Sequence, residues 1–254
     1  MNTTTPGERA FDQAFRLGRR LPVPVKQVVK PLAVNFRNKV QALGNKPERK
    51  RPTLNEIGLG HGTDKSTRAH GYLPIYEQYL GHLRDETFDL IEIGVFKGAS
   101  LRTWAEYFPR ARVLGVDLQD SGRYATDRIR IERGDQGSAE WRTEFAARVA
   151  PLVFIDDASH KWSHQIDTFR DLFPSVLPGG YYILEDIQTS FGPKYAEIYG
   201  LGPETAYDYM AGIIRGVVAA KFADEPRDGF EVYCRKHIES VILLKHVIIL
   251  RKKA

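Results

Sequence analysis

The chain has 254 residues, of which 42% are apolar and 11% are aromatic, so it can bury a core and global disorder is excluded. It contains no run of about 20 apolar residues, the length that a membrane-spanning helix needs, and its first residues lack the apolar core of a secretory signal. Cys234 is the only cysteine, which excludes an internal disulfide and a thiolate zinc cluster and leads us to expect a reducing cytoplasm.

The positive charge of the chain is concentrated in residues 1–51. These residues carry twelve Lys/Arg and three Asp/Glu, a net charge of +9, whereas the rest of the chain has a net charge of −4. Their apolar residues alternate with basic ones and are interrupted by prolines. We predict a basic N-terminal extension over residues 1–51, partly ordered or helical, followed by a globular domain over residues 52–254. The extension is either a solvated tail or a segment that contacts an anionic membrane surface.

Strands and helices alternate from residue 89 onward. Short apolar runs that end in glycine or an acid predict strands, and amphipathic segments between them predict helices. In chain order we predict strand 89–94, helix 101–108, strands 112–117 and 129–131, helix 139–149, strand 152–157, a helical face over 162–176, strand 181–186, a helix over 206–218 and a hairpin of 240–244 with 247–250. This order predicts an α/β fold. Its sheet is doubly wound, mostly parallel and seven-stranded, with a C-terminal antiparallel hairpin.

A glycine loop, residues 92–100, joins the first predicted strand to its helix. Gly94 and Gly98 allow the backbone to approach a ligand closely, and the helix start supplies free N–H groups. The spacing matches neither the dinucleotide fingerprint nor the P-loop. Asp117, at the end of the next strand, is placed for ribose hydroxyls, and Asp135 with Gln136 is placed for an adenine amino group. Taken alone, the loop is equally consistent with a plain strand-to-helix turn.

The E-x-G-x-x-x-G loop, the strand-ending acid and the later Gly134-Asp135 pair resemble the class I S-adenosylmethionine-dependent methyltransferases, which have a Rossmann-like fold. The resemblance extends over roughly residues 60–252. It implies S-adenosyl-L-methionine as cofactor and a methyltransferase domain over residues 52–254. It further implies these cofactor contacts: Glu92, Gly94 and Ser100 at the methionine end, Lys97 in the loop, Asp117 on the ribose, and Asp135 with Gln136 near the adenine.

Acidic residues also follow the fourth and fifth predicted strands. Asp157 follows one strand and Glu185-Asp186 the other, and His160 lies three residues beyond Asp157. Neighbouring ends of parallel strands bring such carboxylates together, and hard oxygen ligands without thiolates suit Mg²⁺, or Mn²⁺ in its place. A divalent ion makes an alcohol easier to deprotonate, and His160 is placed to accept the proton. The alternative for His160 is a helix-capping or core histidine.

Two further segments are open to two interpretations each. Thr63, Asp64 and Lys65 precede the predicted sheet and form either a lid or cofactor-side loop, or a simple helix N-cap by Thr63 or Asp64. The stretch 188–202 is long for a connection and contains several aromatic residues. It is either a source of sugar-contacting aromatics or an ordinary surface insertion.

Four motifs, 62–65, 70–72, 157–160 and 182–190, resemble the metal-dependent sugar O-methyltransferases of macrolide biosynthesis. This resemblance implies that Asp157, Glu185 and Asp186 hold Mg²⁺ and that His160 is the general base. It also implies a glycosylated small molecule, glycolipid or oligosaccharide as acceptor in natural-product or polysaccharide biosynthesis, a homo-oligomer, and no nucleic-acid partner. The alternatives are a catechol-type phenol O-methyltransferase, or a non-catalytic protein of this fold that docks on membrane or nucleic acid through its basic tail.

Overall fold

The structure, a computed structural model, describes residues 51–254. The basic extension predicted over residues 1–51 lies outside the described residues, apart from Arg51, and stays a prediction. Among the described helices, none is both long and apolar enough to cross a membrane.

A seven-stranded sheet forms the centre of the described domain. Its strands are β1 (Asp89–Ile93), β2 (Arg112–Asp117), β3 (Ile129–Arg133), β4 (Val153–Asp156), β5 (Tyr181–Leu184), β6 (Ile238–Leu244) and β7 (Val247–Lys252). Their spatial order is β3-β2-β1-β4-β5-β7-β6; the first five strands are parallel, and β7 is antiparallel to both β5 and β6. The predicted doubly wound sheet with its terminal hairpin is therefore confirmed. The order reverses between β1 and β4, the position where open α/β sheets bind ligands.

Helices cover both faces of this sheet. They are α1 (Leu54–His61), α2 (Leu73–Leu80), α3 (Ala99–Tyr107), α4 (Ala139–Arg148), α5 (Trp162–Leu172), α6 (Pro193–Tyr199), α7 (Ala206–Ala219) and α8 (Gly229–His237). Successive side chains of a strand point to opposite faces, so Leu90 joins one apolar core and Ile91 the other. The first core is closed by α1, α2 and α3, and the second by α4, α5, α7 and α8.

The turn after β1 depends on close contact between two strand ends. Gly94 has a φ of +102°, and a Cβ atom added to it would lie 1.9 Å from the carbonyl oxygen of Asp157. The Gly94 amide donates to the Val116 carbonyl at 2.8 Å, and the Asp157 amide donates to the Ile93 carbonyl at 3.0 Å. Glycine is therefore required at this position for conformation and for space.

We expect Gly94→Ala to lower the free energy of unfolding by at least about 2 kcal/mol, because its Cβ atom meets a backbone oxygen and its φ disfavours an L side chain. Urea denaturation measures the change. The control is Gly60→Ala, at an exposed position in α1 where an added Cβ has nothing within 4 Å. This control should be neutral or stabilising by up to about 1 kcal/mol. Equal stability of the two variants would contradict the close contact.

Candidate active site

A cavity of about 940 Å³ opens at the carboxyl ends of the parallel strands, around the point where the strand order reverses. This volume is within the range of small-molecule sites. The cavity is lined by most of the residues that the sequence analysis selected: Gly94, Lys97, Ser100, Asp117, Asp135, Gln136, Asp157, His160 and Asp186. The remaining two, Glu92 and Glu185, are buried and do not line it.

The carboxylate of Asp117 organises the glycine loop. Its Oδ2 accepts hydrogen bonds from the amides of Val95 at 2.9 Å and Phe96 at 3.1 Å, and its Oδ1 accepts from the Gln119 amide at 2.9 Å. Each carboxylate oxygen has two lone pairs, so acceptor capacity remains for ribose hydroxyls. The loop carries the side chain of Phe96 at the cavity, 76% exposed, on a backbone with φ of 47°.

Gln136 joins the loop after β3 to the loop after β4. Its Nε2 donates to Asp156 Oδ1 at 2.6 Å, and its Oε1 accepts from the amide of Ser159 at 3.1 Å and from the Ser159 hydroxyl at 2.9 Å. Burial raises the pKa of Asp156 to about 7, although hydrogen bonds from Gln136 and Tyr182 oppose the shift. Both ends of the Gln136 amide are thus engaged inside the protein. The adenine contact of Gln136 stays a prediction. An adenine would have to share the amide nitrogen and oxygen that already bond to Asp156 and Ser159.

Three of the residues that line the cavity present ligand atoms to a common point. One ligand atom each from Asp157, His160 and Asp186 lies within 4.8 Å of the others. His160 Nε2 is 3.5 Å from Asp186 Oδ2, and the buried His160 Nδ1 has no hydrogen-bond partner among residues 51–254. Burial opposes the charged form of Asp186, but His160 and Gln188 outweigh it and lower the pKa of this carboxyl. Two hard carboxylates and an imidazole with an unpaired nitrogen fit a divalent cation.

The backbone is strained at two of these three residues. His160 has a φ of 54° and Asp186 a φ of 57°, in the left-handed region. His and Asp enter this region more readily than most residues, but each instance still costs about 1–2 kcal/mol. Such strain is concentrated at functional sites, where the surrounding structure holds a side chain in a required direction.

Lys65, to which the sequence analysis assigned no separate role, lies among three carboxylates. Its ammonium donates to Asp157 Oδ2 and, at 2.6 Å, to Glu185 Oε2, and it is 3.4 Å from Glu92 Oε1. Its side chain is 2% exposed. Burial alone would lower the pKa of Lys65, but Asp157, Glu185 and Glu92 outweigh it and hold that pKa well above its usual value. Lys65 is therefore a buried ammonium group paired with carboxylates.

The loop that carries Lys65 lies between two helices. Helix α1 ends at His61, and α2 begins at Leu73 with Tyr72 as its N-cap residue. The alternative in which Thr63 or Asp64 caps a helix is therefore wrong. The motif 62–65 had marked this segment as part of the site, but no local pattern showed where its lysine points.

Glu185 and Glu92 are bound to Lys65 beneath the cavity. Glu185 Oε1 accepts from the hydroxyl of Tyr76 at 2.9 Å, so both of its oxygens are engaged. Glu92 Oε2 accepts from Trp104 Nε1 at 2.7 Å, and burial raises the pKa of Glu92 against the opposing effect of Lys65. Glu185 is not part of the convergent group of three, and its role as a metal ligand stays a prediction, as does the cofactor contact of Glu92.

No protein-family model matches the chain, but curated proteins do. It is 34% identical over 179 residues to 8-demethyl-8-α-L-rhamnosyl tetracenomycin-C 2'-O-methyltransferase of Streptomyces olivaceus, covering 67% of this chain and 47% of that protein. It is 35% identical over 179 residues to mycinamicin VI 2''-O-methyltransferase of Micromonospora griseorubida, covering 67% of this chain and 44% of that protein. The chain spans less than half the length of these two curated relatives.

Solved structures agree with these similarities. The chain resembles the MycE methyltransferase of the mycinamycin biosynthetic pathway in complex with Mg, SAH and mycinamycin VI, with a TM-score of 0.68 and 28% identity over 80% of this chain and 55% of that chain. A complex of the same protein with Mg and SAH gives a TM-score of 0.71 over the same shares. The predicted class I methyltransferase fold is thereby confirmed, with its strand order and terminal hairpin.

We expect Gln136→Leu to lower the free energy of unfolding by at least about 2 kcal/mol, because it removes the partner of the buried Asp156 carboxylate and of the half-buried Ser159 amide and hydroxyl. Urea denaturation at constant m-value measures the loss. Gln78→Leu makes the same change at an exposed position of α2 and is the matched control. If the two variants are equally stable, Gln136 does not hold the two loops together.

Proposed function

We propose that the chain transfers a methyl group from S-adenosyl-L-methionine to a sugar hydroxyl of a glycosylated small molecule. The premise is that it closely resembles the S-adenosylmethionine-dependent sugar O-methyltransferases of macrolide and tetracenomycin glycosides. One observation carries the proposal. Asp157, His160 and Asp186 converge on the wall of the same cavity that the glycine loop and Asp117 also line. Donor and acceptor groups would therefore meet in one cavity.

The residues that line the cavity fall into a donor-binding group and a metal-binding group. Asp117 holds the ribose of the donor, and Gln136 fixes the loop that carries the reactive residues. Asp157 and Asp186 provide oxygen ligands for Mg²⁺, or for Mn²⁺ in its place. When bound, a divalent ion supplies Lewis acidity to an acceptor hydroxyl.

His160 is the proposed general base. A hydroxyl becomes a competent nucleophile for the sulfonium methyl carbon when its proton is removed, and an imidazole near neutrality is suited to accept that proton. The oxygen–carbon bond forms as the carbon–sulfur bond breaks, which leaves S-adenosylhomocysteine and a protonated His160. The carboxylate of Asp186, 3.5 Å away, stabilises the imidazolium.

The segment 188–202 supplies aromatic surface for an acceptor. Phe191 and Tyr195 are exposed, and the ring of Tyr199 lies edge-on to His160 with centroids 6.1 Å apart. Aromatic faces suit the apolar faces of a sugar ring, which supports a glycoside as acceptor. Glycolipid and oligosaccharide acceptors, membrane contact through residues 1–51, a homo-oligomeric state and a cytoplasmic location stay predictions.

We expect methyl transfer to glycosides such as α-L-rhamnosides to stop on EDTA treatment and to return when Mg²⁺ or Mn²⁺ is added in excess. The measurement is transfer of labelled methyl from S-adenosylmethionine to a panel that contains a catechol and a lipid-linked glycoside. Transfer only to the catechol would replace the sugar assignment, and full turnover in EDTA would contradict the role of the metal.

We expect His160→Ala to lower kcat by about 10²- to 10⁴-fold, as is typical for loss of a general base, with the Mg²⁺ affinity changed by less than about threefold. Turnover and isothermal titration calorimetry measure the two quantities separately. His82→Ala is the control, since His82 is exposed and does not line the cavity. Unchanged turnover in His160→Ala removes the base assignment, whereas a parallel loss of Mg²⁺ affinity would make His160 a ligand.

A further inference from the structure

A second histidine, His164, lines the cavity and has no role in the proposed chemistry. It lies in the first turn of α5, and Asp135, Gln136 and Ser159 line the cavity with it. Its Nδ1 is 2.9 Å from the hydroxyl oxygen of Ser159. Its Nε2 has no hydrogen-bond partner among residues 51–254. One side of this imidazole is therefore fixed by the protein, and the other side is open to a ligand.

The hydrogen bonds of Ser159 determine which nitrogen of His164 carries the proton. The Ser159 amide can only donate, so the Gln136 atom that it meets at 3.1 Å is the amide oxygen. The Ser159 hydroxyl is 2.9 Å from that same oxygen and gives it its single proton. The hydroxyl oxygen can then only accept from His164 Nδ1. A neutral His164 therefore carries its proton on Nδ1 and a lone pair on Nε2.

The surroundings of His164 favour this neutral form. Burial and the charge of Lys161 lower the pKa of His164, and Arg142 acts in the same direction. Asp135 and Asp167 oppose the shift without reversing it. The ordinary pKa of a histidine is about 6.5, so a lowered pKa leaves the ring uncharged at pH 7. His164 Nε2 is then a hydrogen-bond acceptor at the cavity.

A carboxylate with a free oxygen lies beside this acceptor. Asp135 Oδ1 accepts from the Gly137 amide at 2.8 Å, and no donor among residues 51–254 bonds to its Oδ2. A Cβ atom added to Gly137 would lie 2.9 Å from His164 Nε2 and 3.2 Å from Asp135 Oδ1, so both side chains lie against the same backbone position. Two neighbouring acceptors fit a group that offers two N–H bonds, as the amino group of adenine does. The Gln136 amide has neither end free for this task.

We propose that His164 Nε2 accepts a hydrogen bond from the adenine amino group of the methyl donor and, with Asp135, selects adenine over a base that carries an oxygen in place of this amino group. This inference rests on the proposed function, because it takes the cavity to bind S-adenosyl-L-methionine. Hypoxanthine has a carbonyl oxygen where adenine has the amino group, and that oxygen would face a lone pair and a carboxylate. A His164 that only held Ser159 in place would affect ligands with either base equally.

The test compares the binding of S-adenosylhomocysteine and S-inosylhomocysteine to the full chain by isothermal titration calorimetry. We expect the unmodified chain to bind the adenine ligand at least about 100-fold more tightly than the hypoxanthine ligand. His164→Asn keeps a donor near the Nδ1 position for Ser159 but has no acceptor at the Nε2 position, so it should reduce that ratio by about tenfold. His164→Gln is the matched control: it keeps an acceptor near the Nε2 position and should bind S-adenosylhomocysteine within about threefold of the unmodified chain.

A measurement on the unmodified chain covers the case in which these variants do not fold. NMR spectroscopy of the ring nitrogens should show the proton of His164 on Nδ1. The Nε2 resonance should shift when S-adenosylhomocysteine binds, in the direction of a nitrogen that accepts a hydrogen bond, and not when S-inosylhomocysteine is added. A proton on Nε2, or an unchanged ratio of the two affinities in His164→Asn, overturns the inference while leaving the proposed function intact. Failure of the unmodified chain to bind S-adenosylhomocysteine overturns both.

Discussion

The mutual repulsion of buried carboxylates is the constraint on which this site depends. Strands β1, β4 and β5 end side by side, and each brings an acidic side chain to the same place. Such a group is stable only where cations and hydrogen-bond donors satisfy its oxygens. The loop before α2 and the first turns of α2 supply them from outside the sheet: Lys65, Tyr72 and Tyr76 all donate to carboxylates of the strand ends. The position of this segment over the sheet is therefore set by charge as well as by apolar packing.

The C-terminal hairpin supports the same strand ends from the other side. Strand β7 pairs with β5, and the amide of Ile187 donates to the carbonyl of His246 in the hairpin turn at 3.0 Å. His246 has a φ of 71°, and Asp186, next to Ile187, has a φ of 57°. The pairing of β7 with β5 and the Ile187–His246 hydrogen bond hold Asp186 in its left-handed backbone conformation. The hairpin thus has a structural task at the site although none of its strands contributes a candidate ligand.

Much of the fold followed from the sequence because its signals are local. Short apolar runs, several of which end in glycine or an acid, defined β1 to β5, and the runs around residues 245–246 defined the hairpin. Helix α1 has a readable signal that the sequence analysis did not use, the capping box of Thr53 and Glu56. The partners of Lys65 could not be read in this way, because they lie 92 and 120 residues away in the chain. A local sequence pattern shows which residue types are present. Long-range packing determines which carboxylates a residue such as Lys65 contacts.

The adjacent pair Glu185-Asp186 shows the same limit within two residues and explains how the site is divided. Consecutive side chains leaving a strand point in different directions. Glu185 therefore turns to Lys65 and Tyr76 beneath the cavity, whereas Asp186 turns to His160 at its wall. Asp157 alone among the described residues belongs to both groups, and its carbonyl is the atom against which Gly94 closes. The contact between Gly94 and the Asp157 carbonyl thus shapes the glycine loop. The same contact places the Asp157 carboxylate between Lys65 and the group that Asp157 forms with His160 and Asp186.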